Sequence, residues 1–229
     1  LGTVNLDLSG GTLELGGTVV LDYILTDNLT TFKLGEDATV TRNQGFTLGG
    51  LDLDNSTFTL GSYTTDLTLD IGNSSDNGTD SGLPPGTLAT QTADLTVVGG
   101  IPSLSSGTTI SSTGGTFTFG NGLSISGATV DLQDSILAVG SSFSNTGDNL
   151  TMTGTGLKLL SDLSLSSDSA VAFDSYQPND FNLVLPISST GNISLGTITL
   201  VSENIEVLGG TLSLAGGSVG ANGLIEVGE

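Results

Sequence analysis

Leu6-Asp7-Leu8-Ser9-Gly10-Gly11-Thr12-Leu13-Glu14-Leu15 returns 45 positions later as Leu51-Asp52-Leu53-Asp54-Asn55-Ser56-Thr57-Phe58-Thr59-Leu60. It returns again, 199 positions after the first, as Ile205-Glu206-Val207-Leu208-Gly209-Gly210-Thr211-Leu212-Ser213-Leu214. A fourth copy runs from Val130 to Val139. Each copy alternates apolar and polar residues, breaks at a turn of two or three small or polar residues, and alternates again. Alternation at period two gives a strand with one oily face, and Gly, Ser, Asp and Asn supply the turn.

A shorter phrase, Thr-apolar-any-apolar-Gly, extends the pattern along the chain. It reads Thr12 to Gly16, Thr31 to Gly35, Thr57 to Gly61, Thr68 to Gly72 and Thr116 to Gly120. Looser copies end at Gly140, Gly196 and Gly228. The starts of the second strands fall at 12, 31, 57, 68, 116, 136 and 211, with gaps of 19, 26, 11, 48, 20 and 75. Several gaps are near 20 or its multiples; 11 and 26 are not. Short strands repeating at about 20 residues predict an all-β, right-handed parallel β-solenoid with irregular coils, each burying its oily face by stacking on its neighbours. The alternative is an antiparallel β-sandwich or jelly roll, with Ser9-Gly10-Gly11 or Leu208-Gly209-Gly210 as hairpin turns.

Composition supports the class and narrows the function. Among 229 residues there are 35 Gly, 3 Lys plus Arg, 24 Asp plus Glu, and no Cys, His or Trp. Such a palette favours strands and turns over helices. Without Cys or His there is no disulfide, no thiolate metal site and no Ser-His-Asp triad. A net charge of −21, relieved only by Lys33, Arg42 and Lys158, predicts no nucleic-acid partner. The longest apolar runs, such as Ala170 to Phe173, are far shorter than the roughly 20 residues of a spanning helix, so no membrane insertion is expected. The start at Leu1 reads as a mature product or a fragment. Sequons at Asn28, Asn55, Asn73, Asn77, Asn149 and Asn192 permit glycosylation.

Three regions are expected: an N-terminal β lobe over 1–72, a Gly/Asn/Asp/Pro-rich loop or seam over 73–93, and a C-terminal β lobe over 94–229, continuous or not with the first. Pro84-Pro85 cannot sit in a central strand, and no alternation is read in the seam. A second irregular region is expected around Asp174 to Ile187, where Pro178 and Pro186 flank Phe181 to Leu185.

Within the seam, Asp76 and Asp80, with Asn73 and Asn77, offer oxygen ligands for Ca²⁺, the one cofactor the sequence points to. The plain reading of the same stretch is a solvated loop, because the spacing matches no EF-hand. Asp52, Asp54, Asp131 and Asp134 stand beside turns, where Asp usually bonds backbone N–H groups. Paired carboxylates for glycoside hydrolysis are conceivable on a β-helix, but three cations and no Trp leave little to grip a sugar. Gly114-Gly115 and Gly209-Gly210 lead into strands, so neither is a phosphate loop. Thr57/Thr59, Thr116/Thr118, Thr151/Thr153/Thr155 and Thr197/Thr199 raise an ice-binding reading. Their uneven interval argues against it, and β-propensity explains them.

At Gly10-Gly11-Thr12-Leu13-Glu14-Leu15-Gly16-Gly17 and Gly209-Gly210-Thr211-Leu212-Ser213-Leu214-Ala215-Gly216 the chain resembles bacterial β-solenoid surface proteins. Autotransporter passengers and filamentous-haemagglutinin-type adhesins are the comparison, over about half the chain. The resemblance implies an extended extracellular body with no catalytic residues to carry over. The expected function is therefore a non-enzymatic, secreted or cell-surface structural protein: part of a fibre, sheath or adhesin. Its partners are other copies of itself, joined through strand edges such as Thr3 to Leu8 and Leu224 to Val227, and surface glycans. A carbohydrate- or receptor-binding tip protein, or a polysaccharide-degrading β-helix enzyme, are the alternatives.

Overall fold

The computed structural model describes residues 6–7, 12–20, 24–25, 31–41, 46–48, 50–52, 56–60, 66–70, 82–83, 86–98, 101–147, 150–186 and 188–228. Among them every element is a strand. Every strand pairing among the described residues is parallel, so the hairpin alternative does not hold. The chain is a parallel β-solenoid with successive coils about 20 residues apart.

The alternation read from the sequence is what closes the coil. Strands Thr57–Leu60, Gly86–Gln91 and Thr108–Ser112 alternate between inward and outward positions along their length. Parallel strands in register then stack like on like. On the first face Ala38, Phe58, Leu88, Ile110, Val130 and Leu150 form one inward column. On the second, Leu95, Phe117, Leu137, Leu157 and Tyr176 form another. A third set of strands, including Leu123–Ser126, Leu183–Leu185 and Asn204–Val207, closes the coil. The inward side chains of the three faces merge into one continuous apolar core. Burying each large apolar side chain contributes about 1.5–3 kcal/mol, which is how a coil that is unstable alone becomes stable in the stack.

Register partners lie close to 20 positions apart almost everywhere: Leu6 faces Ile24 and Thr109 faces Thr129. One coil departs from this. Thr57 faces Thr87 and Asp66 faces Asp94, intervals of 30 and 28. The surplus falls where residues 71–81 lie in sequence, outside the described residues.

Two expectations are corrected. The seam at 73–93 is not without strands: Gly82–Leu83 and Gly86–Gln91 are both strands. The second pairs with Thr57–Leu60 on one side and Thr108–Ser112 on the other, so the first-face ladder runs through the segment. The physical reason is that Thr87-Leu88-Ala89-Thr90 alternates after all, with Leu88 and Thr90 inward, and Pro84-Pro85 precede the strand instead of interrupting it. Likewise, the region 174–187 contains the end of strand Val171–Gln177 and all of Leu183–Leu185. Only the turn between them is irregular. There Asn179 and Asp180 adopt positive φ values of 52° and 68°.

Candidate functional site

The polar chemistry of the molecule is concentrated at the corners between faces. Corners leave backbone groups that no ladder satisfies, and burying them unpaired would be costly. One corner stacks Ser112, Ser135 and Thr155, all buried. Ser112 Oγ donates to the Gln91 carbonyl at 2.7 Å, Ser135 Oγ to the Gln133 carbonyl at 2.8 Å, and Thr155 Oγ1 to the Leu132 carbonyl at 2.9 Å. Ser135 Oγ also reaches Ser112 Oγ at 3.4 Å, linking the coils.

A second corner arises where an apolar column turns polar. Leu83, Leu104 and Ile125 are followed in register by Asn145 and then Ser167. Asn145 Nδ2 donates to Ser167 Oγ at 3.1 Å, Ser169 Oγ at 2.9 Å and the Gly147 carbonyl at 3.2 Å. Ser167 Oγ donates to the Ser169 carbonyl at 2.9 Å, and Ser189 Oγ donates to the Ser167 carbonyl at 3.2 Å.

Acidic side chains cap the coil that follows them. Asp37 Oδ1 accepts the Thr57 amide at 2.7 Å, and Asp94 Oδ1 accepts the Thr116 amide at 2.6 Å. Asp168 works backwards, accepting the Gly147 amide at 2.9 Å. The carboxylate of buried Glu203 is the most elaborate case. Its own amide, those of Val201 and Ser202, and that of Asp180 one coil away donate to it and hold its pKa below the ordinary glutamate value, against the opposing push of burial. Next to it lies Tyr176, 5% exposed, whose hydroxyl has no hydrogen-bond partner among the described residues. Burial first, and the Glu203 charge second, push that phenol well above its usual pKa.

Of the sequence-predicted residues, Asn73, Asp76, Asn77 and Asp80 lie outside the described residues, as does Asp54. Among the described residues no group of three or more acidic side chains is gathered to hold a metal ion. Asp131 accepts a weak bond from Gln133 Nε2 at 3.4 Å, and Asp134 adopts a positive φ of 48° at its turn. Thr155 leaves the threonine set: it is a corner residue. Among the described residues the Leu224–Val227 strand is paired only with Asn204–Val207, and Thr211–Val219 only with Asn192–Leu200. On these two strands Leu214, Val219, Leu224 and Val227 are exposed. Of the Thr3 to Leu8 stretch, only Leu6–Asp7 is described, paired with Ile24–Leu25.

The corner hydroxyls and Asn145 went unread in the sequence because isolated Ser and Asn in a Ser-rich chain carry no spacing signal. What did exist was the pairing of Asn145 with Ser167 at 22 positions, one coil length. No family model, curated protein or solved structure matches the chain.

Proposed function

We propose that this chain is a non-enzymatic structural protein: a rigid extracellular segment of a cell-surface fibre, sheath or adhesin that joins other copies of itself through strand edges. The observation that carries the reading is that successive coils are fastened by parallel pairing, along the first face from Thr12–Val20 to Leu150–Thr153 and in the other sheet on to Leu224–Val227. In such a body the surface of one coil is already the binding surface for another. The edge along Thr211–Val219 and Leu224–Val227 offers unpaired backbone groups and exposed Leu214, Val219 and Val227 to a further coil. The buried polar side chains support the same reading. Asn145, Ser167, Ser189, Ser112, Ser135 and Glu203 are all engaged in fastening turns, which leaves them unavailable for acid–base work.

Negative-stain microscopy and light scattering of the purified chain, with and without Ca²⁺, test this. Linear assemblies that disappear in a Leu214→Lys/Val227→Lys variant are the expected result. Single particles at every concentration, or release of sugar products from a polysaccharide, would overturn it.

A further inference from the structure

The geometry points to a second property, independent of the structural role: the outward side of the first face is a binding surface for ice. The threonines on this face recur unevenly along the chain, but the uneven coils bring them into straight columns. Thr57, Thr87, Thr109 and Thr129 are register partners although 30, 22 and 20 positions separate them. Beside them run Thr39, Thr59, Ala89 and Ser111, also partners in sequence order. The interval that counted against an ice-binding reading in the sequence is therefore absorbed by coil length. The register of the described strands stays in step across it.

The two columns form a grid. Neighbouring strands lie about 4.7–4.9 Å apart, and alternate residues on one parallel strand about 6.6 Å apart. The pairing has no slip between Thr57 and Ser111, the nearest register shift falling beyond Ala89. Each threonine offers one hydroxyl and one methyl on a stiff side chain. Among the described residues the hydroxyls of Thr57, Thr87, Thr109 and Thr129 have no protein partner. Fixed hydroxyls at the strand spacing, close to the repeat of ice along its a axis, can hold water in lattice positions, while the methyls exclude disordered water between them.

Charge decides which face. In a chain of net charge −21 the grid from Thr57 to Ser111 carries none; Asp37 and Asp131 bound it at either end. The second face also aligns threonines (Thr47, Thr68, Thr96 and Thr118), but Asp66 and Asp94 stand in the adjoining column and Lys158 closes the run. An uncharged hydroxyl grid suits a neutral, periodic solid and not a dissolved ion or polyelectrolyte.

The test is partition of the fluorescently labelled chain into a slowly growing ice hemisphere, with thermal hysteresis measured on the same samples. The chain is expected to enter the ice and to facet crystals. Thr109→Tyr and Thr109→Lys, both outward changes that leave the core intact, should lower incorporation at least tenfold, with far-UV circular dichroism unchanged. Ser164→Lys, exposed on the third set of strands, should incorporate like the parent. Exclusion of the parent chain from the ice, or equal incorporation of all variants, would overturn the inference. Binding to a crystalline polysaccharide in the absence of ice incorporation would overturn it too.

Discussion

The carboxylate of Asp162 accepts the backbone N–H of Asn182, one coil later, at 2.8 Å, and the side-chain oxygen of Asn182 accepts the N–H of Asn204 at the same distance in the next coil. Two residue types thus perform one task at equivalent corners, so the acceptor oxygen matters and the charge does not. Asp162→Asn should leave stability within a few tenths of a kcal/mol of the parent, whereas Asp162→Ala should cost about 1 kcal/mol, the usual price of a lost backbone cap. Denaturant unfolding of the two variants checks this. Equal losses from both would mean that charge, not the cap, is what the site uses.

Glu203 makes the molecule acid-sensitive in a defined direction. Its folded pKa lies below the ordinary value because amides surround the charged form. A depressed carboxyl contributes stability that is fully present above its unfolded pKa of about 4.3 and is lost as pH falls through the folded pKa. Glu203→Gln should therefore lower the melting temperature at pH 7, and the gap between parent and variant should narrow as pH drops below about 4. A constant gap from pH 7 down to pH 3 would remove Glu203 from the acid response.

Tyr176 offers a rare stabilising change. Its ring fills the column above Leu157, while its hydroxyl is buried with no partner. Tyr176→Phe keeps the packing and removes the unpaired group, which typically costs 1–3 kcal/mol when buried. We expect a gain of about 1 kcal/mol in denaturant unfolding. A loss instead would show that a water or another group satisfies the hydroxyl in solution.

The alternating phrases were enough to read strands, inward residues and a solenoid, because burial on one side of a strand leaves a period-two mark that needs no partner to be recognised. The coil boundaries were harder. Thr57 and Thr68, only 11 positions apart, sit on two different faces of one coil, while Thr116 and Ile136 are true partners in successive coils. A marker that recurs on every face mixes the step between faces with the step between coils. Strand Gly86–Gln91 was hidden for another reason: its inward Thr90 is polar, so the alternation fades after Leu88. The corner network was illegible for the same kind of reason. Its members are ordinary Ser, Thr and Asn residues, and only the stacking of coils makes neighbours of them.

Asn145 tests that network most directly. Its amide donates to Ser167, Ser169 and the Gly147 carbonyl, so a single side chain satisfies acceptors in two coils. Asn145→Ala removes the one donor that ties Ser167 Oγ, Ser169 Oγ and the Gly147 carbonyl together and opens a small void, which together should cost about 2–3 kcal/mol. Asn145→Leu fills the void and matches Ile125 below it in the column, yet still lacks the bridging donor. If the network governs the corner, the two variants should lose similar amounts. If packing governs it, leucine should recover most of the loss, because the column would simply remain apolar for one more coil. Amide hydrogen exchange at Ser169 separates the cases further, since its N–H bonds Ser167 Oγ at 3.3 Å and that hydroxyl is held in place by Asn145. Faster exchange there in Asn145→Leu, with the protection of the Ile136–Thr146 strand retained, is the outcome the network requires.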